Sequence, residues 1–320
     1  MTLYPIDSTH PEISNGVVCR AQGNLIDVAL LDSQMEKHWL CTLRGKLKKQ
    51  VQAVTSLVAV GDEVAFTILN DEQGVIESIG KRRSKLSRDN SQGRDTEQVL
   101  AVNIDFAVIV MACHAPDFNL RRLDWHLTAA VAGDLTPVII LSKVDLPPAE
   151  QAKEEIARYR LLGYNVIATS TKTGEGLDEL AKLLAQKKAV LVGSSGAGKS
   201  SLINAMDPGL QLRTGELREK FSKGRHVTTN AELLRLKNGA WIIDTPGVRS
   251  FALWDRTSES INEQYAEFDQ YAAECRFSNC THSHEPDCAV REAVSQGEID
   301  EDRYEAYIKI LKRQQGRKKR

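Results

Sequence analysis

No apolar run in this chain approaches the roughly 18 residues that a membrane span needs. The greasiest stretches, Val108 to Ala112, Val138 to Leu141 and Ala189 to Val192, are of strand length. Proline is scarce at nine residues, and neither sign of charge dominates, with 42 basic against 43 acidic side chains. Collagen-like and wholly disordered readings fall away, and so does attraction of the whole surface to nucleic acid. The opening residues, Met1 to Ser14, carry neither a basic leader nor an apolar stretch, so the sequence reads as that of a cytoplasmic protein with no membrane partner. Disulfides are not expected in that compartment, and the six cysteines need another account. Three of them, Cys275, Cys280 and Cys288, crowd into one short segment, whereas Cys19, Cys41 and Cys113 sit in strand-like contexts and read as core thiols.

With 320 residues, 42% of them apolar and 27% charged, the chain has the composition of a soluble protein of two or three domains. From Gly16 to Ile79 it reads as about five short β segments separated by Gln-Gly-Asn, Val-Gly-Asp and Asp-Glu-Gln-Gly turns. Five such strands make an OB-type barrel, a fold whose face and loops often bind RNA, although a barrel that only packs on its neighbour has the same pattern. A basic linker at 81–98 follows. Strands and helices then alternate: a strand from Ile104, a helix opened by Asn119 and closed by Gly133, a strand Pro137 to Leu141, a helix from Ala149, a strand at Val166, a helix Leu177 to Leu184 and a strand Ala189 to Val192. This order predicts a parallel sheet covered by helices, ending in a hairpin around Asn238-Gly239. Beyond residue 255 the pattern is helical, with Ile261, Tyr265, Phe268 and Ala272 on one stripe and Tyr304, Tyr307, Ile308 and Leu311 on another. The expected domains are a barrel at 1–85, an α/β domain at 86–255 and a helical domain with a basic tail at 256–320.

The segment Gly193-Ser194-Ser195-Gly196-Ala197-Gly198-Lys199-Ser200 satisfies G-x-x-x-x-G-K-[ST] and directly follows a strand. Its glycines let successive N–H groups turn inward around phosphates, Lys199 reaches the β- and γ-phosphates, Ser200 binds Mg2+, and Ser201 begins the helix whose dipole adds to the site. Guanine selection needs a carboxylate for two base donors. Asp145 of Ser142-Lys143-Val144-Asp145 supplies it after the strand 137–141, with the Lys143 stem over the base and Ser142 where Asn is usual. The following strand leads to Ser170-Thr171-Lys172, similar to the loop that closes over guanine O6. Asp244-Thr245-Pro246-Gly247 ends the hairpin strand, so that Asp244 holds Mg2+ through water and the Gly247 N–H meets the γ-phosphate.

The order of these motifs is unusual. The two guanine motifs precede the phosphate loop, which makes the domain a circularly permuted P-loop GTPase and sends the chain from the Asp-x-x-Gly switch straight into the C-terminal domain. Between loop and switch lies Lys223-Gly224-Arg225-His226-Val227-Thr228-Thr229, where Thr228 or Thr229 is the Mg2+ ligand. Val248 follows Gly247 and cannot orient water, so His226 is the local candidate to do so, alongside Lys199 as the charge that assists hydrolysis. Cys275, Cys280 and Cys288 with a histidine, His282 or His284, have the short spacings of a closed tetrahedral zinc site. One structural zinc per chain is expected to hold C-terminal helices that show little common core in the sequence.

In these residues the chain resembles the RsgA family, also called YjeQ or EngC, the bacterial small ribosomal subunit biogenesis GTPases. The resemblance covers nearly the whole chain: the barrel, the permuted order of Ser142 to Asp145, Gly193 to Ser200 and Asp244 to Gly247, and the cysteine–histidine signature. It implies a cytoplasmic GTPase, acting as a monomer, that binds the 30S subunit through 16S rRNA, assists its late maturation, is stimulated by it and leaves after hydrolysis to GDP. It also implies a water-positioning role for His226 and places His282 as the fourth zinc ligand. A zinc protein that binds nucleic acid irrespective of nucleotide, and a P-loop ATPase or kinase, are the competing readings. Intact Lys199, Ser200 and Asp244 argue against the first, and Asp145 against the second. Basic blocks at Arg44 to Lys49, Lys81 to Lys85 and Lys312 to Arg320 are the candidate contacts to anionic RNA.

Overall fold

The computed structural model describes residues 13–23, 25–31, 37–48, 57–89, 97–116, 118–147, 149–210, 231–244, 261–262 and 265–318. Strands β1 (Ile13–Gln22), β2 (Leu25–Leu30), β3 (His38–Leu43), β4 (Glu63–Ile68) and β5 (Gln73–Ile79) pair in the order β1-β2-β3-β5-β4, and β4 returns to β1. This closes a five-stranded OB-type barrel in which only β3 and β5 run parallel. Every second side chain points inward, so Val18, Ile26, Val28, Trp39, Cys41, Val64, Phe66 and Ile76 share one core. A single turn of helix, α1 (Gly45–Lys48), follows β3.

The predicted basic linker contains a structure of its own. Strands β6 (Lys85–Asp89) and β7 (Glu97–Val102) pair antiparallel, burying Leu86, Ala101 and Val102. Ser84 fixes the start, because its Oγ donates to the Ile104 carbonyl at 2.6 Å and accepts from the Ile104 N–H at 2.7 Å. Of the basic block before it, one arginine is spent on a buried partner and a second pairs at the surface. The Arg82 Nε and Nη2 groups donate at 2.8 Å to the two oxygens of fully buried Asp62, and Arg83 pairs with Asp105 at 3.3 Å. Arg44, in the block before α1, pairs with Glu77 at 2.6 Å.

The alternating segment forms as the pattern requires: β8 (Phe106–Ala112), α2 (Leu120–Ala132), β9 (Thr136–Ser142), α3 (Ala149–Leu161), β10 (Asn165–Thr169), α4 (Leu177–Leu184), β11 (Lys188–Val192) and α5 (Lys199–Met206). Asn119 caps α2, its side chain accepting the Arg122 N–H at 2.9 Å, and Gly133 ends it. Strands β12 (Glu232–Arg235) and β13 (Trp241–Asp244) make the hairpin. The strand order β10-β9-β8-β11-β13 is parallel throughout. Both faces are covered, so alternate residues serve different cores. Ile109, Met111, Ile139 and Leu141 face α2 and α3, whereas Val108, Val110, Val138 and Ile140 face α4 and α5. Beyond β13, β12 pairs with β1 at Arg20 and Glu232, so barrel and central sheet are hydrogen-bonded into one.

The C-terminal segment is more broken than the two helical stripes suggest. A 3-10 turn (Ala266–Phe268) leads into α6 (Asp269–Ala272), and α7 (Ala289–Ser295) precedes α8 (Glu301–Lys318). Helix α8 carries on into the basic tail, whose Lys, Arg and Gln residues are good helix formers. The expectation of little common core does not hold. Tyr265, Phe268 and Tyr307 are buried with ring centroids 5.1 Å apart, and they pack on the α2 side of the sheet. At that contact Arg303 of α8, almost fully buried, bonds to Asp124 of α2 and to Glu267. Its guanidinium lies 4.7 Å from the Tyr265 ring and 5.6 Å from that of Tyr159, whose hydroxyl donates to Asp124 at 2.8 Å. Burial raises the Asp124 carboxyl, and Arg303 offsets part of that rise. Removing one member leaves a buried charge unpaired, so Arg303→Ala is expected to cost about 3–5 kcal/mol. Arg303→Met combined with Asp124→Leu and Glu267→Gln is expected to recover much of it. Urea unfolding followed by tryptophan fluorescence measures both.

Candidate functional site

The parallel strands end together, and the predicted motifs stand on those ends. The strand order reverses between β8 and β11, the place where open α/β sheets bind ligands. The phosphate loop leaves β11 with Gly193 at φ +140°. A Cβ there would come within 2.2 Å of the Val110 carbonyl oxygen, so β8 and the loop meet this closely only with glycine. Gly198, at φ +97°, caps α5, and Leu202 donates back to its carbonyl at 2.8 Å. The Lys199 ammonium arches over the loop and donates to the carbonyls of Gly193 and Ser194 at 2.8 and 2.9 Å. Ser200 and Ser201 occupy the first turn of α5, half-buried, while Ser195 and Gly196 are exposed at the tip.

Ser142 accounts for its own departure from the usual motif. It is buried at the end of β9, and its Oγ donates to the Ala197 carbonyl at 2.6 Å, with the Met111 carbonyl at 3.3 Å. A hydroxyl thus ties the base-side loop to the phosphate loop. The next residue, Lys143, adopts φ +62°, a conformation that costs a non-glycine residue energy and needs support. Support comes from Cys113, whose buried thiol donates to the Lys143 carbonyl at 2.8 Å, and from the Lys143 ammonium, which bonds to the Ala115 carbonyl. Val144 is buried, and its N–H reaches the Thr169 carbonyl at 3.3 Å. Asp145 accepts from the Ser170 hydroxyl at 2.7 Å. That bond holds its carboxyl below the usual carboxylate range, which keeps it an acceptor. Ser170 in turn accepts the N–H groups of Lys172 and Thr173 at 3.1 Å, and the Lys172 ammonium stands 3.9 Å from Asp145, with Thr171 exposed between them.

Asp244 closes β13, its backbone paired opposite Glu232. His226, Thr228, Thr229 and Gly247 lie outside the described residues. Two contacts at this edge are not legible as motifs. One is the thiol of Cys113 beneath the Lys143 loop, for which the strand context indicates only burial. The other is Arg122 of α2, which bonds to the Ser194 hydroxyl across 72 positions of sequence.

The second cluster is in the C-terminal segment. The ligand atoms of Cys275, Cys280, His282 and Cys288 all lie within 4.8 Å of one another. A tetrahedral zinc with Zn–S bonds of about 2.3 Å has S···S edges of about 3.8 Å and slightly shorter S···N edges. Here Cys275 Sγ and Cys288 Sγ are 3.9 Å apart, and His282 Nδ1 is 3.6 and 3.5 Å from them. The residues therefore fit such a metal. His284 does not compete: its ring is exposed and bonds to Ser283 at 2.8 Å. Burial pushes the Cys280 thiol up to about 12 and lowers the His282 imidazole, which favours the neutral form that binds a metal. The loop between the ligands is organised by Glu285. Burial raises its carboxyl, but bonds from the Thr281 hydroxyl and the N–H groups of Thr281 and His284 outweigh that and hold it well below its usual range. Tyr304 donates to the His282 carbonyl at 2.7 Å, joining the cluster to α8. Metal analysis is expected to give about one zinc per chain, and Cys280→Ser to lose it. Because the aromatic core remains, limited proteolysis of that variant is expected to cut first between residues 275 and 288.

The comparisons with known proteins agree with this arrangement. The family model described as RsgA GTPase matches residues 79–254. The small ribosomal subunit biogenesis GTPase RsgA of Gemmatimonas aurantiaca is 38% identical over 95% of this chain and 98% of its own length. The crystal structure of YjeQ from Thermotoga maritima superposes with a TM-score of 0.75 at 32% identity, covering 94% of this chain and 98% of that one. YloQ, described as a circularly permuted GTPase, gives 0.71 at 27% identity over 98% and 99%. The permuted order of motifs, the barrel and the extent of these matches lead to one statement: the chain belongs to the RsgA GTPase family.

Proposed function

We propose that this protein hydrolyses GTP to GDP and phosphate, binds the 30S ribosomal subunit through 16S rRNA, and assists late maturation of that subunit in the cytoplasm, acting as a monomer. The observation that carries the reading is the junction of base and phosphate elements: Ser142 is hydrogen-bonded to the phosphate loop, and Asp145 is held as an acceptor one residue beyond the supported turn at Lys143 and Val144. The partner is supported by relatives that match over nearly the full length and are named small ribosomal subunit biogenesis GTPases. Three working units are proposed, at 1–85, 86–255 and 256–320.

Asp145 accepts the guanine donors, Lys143 covers the base, and Ser170, Thr171 and Lys172 border it. The N–H groups from Gly193 to Ser201 hold the phosphates, with Lys199 compensating charge that builds up as the terminal bond breaks. Mg2+, when bound, neutralises the β- and γ-phosphates. Ser200, Asp244 and Thr228 or Thr229 are its proposed holders, Gly247 the donor to the γ-phosphate and His226 the residue that orients water. Cys275, Cys280, His282 and Cys288 hold a structural zinc. Of the basic blocks, Arg82 is engaged with buried Asp62, while Arg83 and Arg44 pair with Asp105 and Glu77 at the surface; contact with rRNA is proposed for the exposed remainder of the blocks at Arg44 to Lys49 and Lys81 to Lys85 and for the C-terminal tail.

The test is nucleotide hydrolysis with and without purified 30S subunits. GTP preferred over ATP, with turnover raised by the subunit, is expected; equal use of ATP refutes the base assignment. Ser142→Ala loses one hydrogen bond worth about 0.5–1.5 kcal/mol. It is therefore expected to weaken GDP binding by about 3- to 10-fold, measured by isothermal titration calorimetry.

A further inference from the structure

The phosphate loop has two ends with different attachments. Its Ala197 end is tied through Ser142 to the strand that carries the guanine residues. At its Ser194 end, two cations meet. Lys199, from α5, donates to the Ser194 carbonyl at 2.9 Å, and Arg122, from the first turn of α2, bonds through Nη1 to the Ser194 hydroxyl. Opposite attachments give the loop a direction. The Ala197 end is joined to the base-side strand, and the Ser194 end is where Lys199, the lysine that reaches the β- and γ-phosphates in a loop of this pattern, meets Arg122.

Arg122 is well placed to act there. It is the third residue of α2, where the Asn119 cap fixes the backbone by accepting the Arg122 N–H at 2.9 Å. Its side chain is exposed and, among the described residues, makes no ion pair. Two other arginines that contact α2 or lie on it are spent: Arg121 bonds to Asp302 and Glu305, and Arg303 to Asp124 and Glu267. Arg122 and Lys199 also act together on buried His126, one turn further along α2. Burial first, then these two positive charges, lowers its imidazole to about 4. The neutral histidine therefore adds no third positive charge beside Arg122 and Lys199. A guanidinium suits that role because it remains charged and presents a fork of donors to phosphate oxygens.

We propose that Arg122 is the residue by which this site distinguishes a nucleoside triphosphate from a diphosphate, its guanidinium serving with Lys199 as the second cation for the terminal phosphate. The proposal rests on the reading of the loop as a nucleotide site and adds a specificity determinant supplied by α2. It follows that the helix bolted to the C-terminal segment also touches the ligand.

Affinities for GDP and for a non-hydrolysable GTP analogue, measured by calorimetry on the full chain, test it. Arg122→Ala is expected to weaken the analogue by about tenfold or more, about 1.4 kcal/mol, while changing GDP by less than about threefold. Retained GDP binding also reports that the variant is folded. Arg122→Gln keeps a donor for the Ser194 hydroxyl without the charge, and is expected to behave like Arg122→Ala. Arg122→Lys restores part of the preference, and Arg121→Ala leaves it unchanged. Equal weakening of GDP and the analogue in Arg122→Ala, or full preference in Arg122→Gln, overturns the proposal, since either makes the residue only a prop for the loop. The ratio is also read with ADP and an ATP analogue. If adenine nucleotides bind as well as guanine nucleotides, the base assignment fails while the triphosphate-to-diphosphate ratio still decides the role of Arg122.

Discussion

The guanidinium of Arg303 is taken almost wholly out of water, and a charge in that position is tolerable only where its partners are already in place. Those partners come from different parts of the chain. Asp124 lies on the helix that follows the first central strand, Glu267 just before α6, and the rings of Tyr159, Tyr164 and Tyr265 surround the group at 4.7 to 5.8 Å. No one segment completes this arrangement. The C-terminal helices, the aromatic core under them and the face of the central sheet are therefore assembled as a unit, and the cysteine cluster is reached from it through Tyr304 and Tyr307. The cysteine–histidine cluster, which could hold a metal, lies in the loop between residues 275 and 288, but the docking of the segment belongs to the buried ion pair and its rings.

The same helix α2 has an end at the phosphate loop and a middle at Arg303. One rigid element thus spans the distance between the ligand edge and the C-terminal segment. Circular permutation gives a second connection, since the chain leaves β13 at Asp244 and goes on to the C-terminal helices. Two routes, one through packing and one through the covalent chain, join the same pair of regions.

Much of this was readable from residue types because it depends on near neighbours in sequence. Asn119 and Gly133 bracket α2, and Leu177 and Leu184 bound α4, as the caps and periodicity indicate. The phosphate loop and Asp145 stand where their motifs put them, because each follows a strand whose apolar run is unbroken. What escaped has distant partners. Arg82 looks like part of a basic surface block until Asp62 is brought to it, and Arg303 meets Asp124 across 179 positions. The β6–β7 hairpin was hidden because Lys81 to Lys85 dominates its composition, although Leu86, Leu100 and Val102 carry the burial. The cysteine cluster was legible by spacing and the resemblance singled out His282 over His284; the fold turns the first ring inward and leaves the other in solvent.

The single rung between β12 and β1 bears on how the protein behaves in company with copies of itself. A short antiparallel strand at the end of a sheet offers unpaired backbone groups to any other strand that approaches. Here that margin is covered by the barrel: Arg20 opposes Glu232 in the ladder and bonds to its side chain, and the Lys188 ammonium of β11, two strands further into the sheet, reaches Glu63 of β4 at 3.2 Å. The barrel, whose own strands close on themselves, brings no raw margin of its own to the joint. Besides any part it plays in recognition, it works as a stopper on the central sheet, and a chain that has made its α/β portion correctly but failed to seat the barrel would be adhesive along β12.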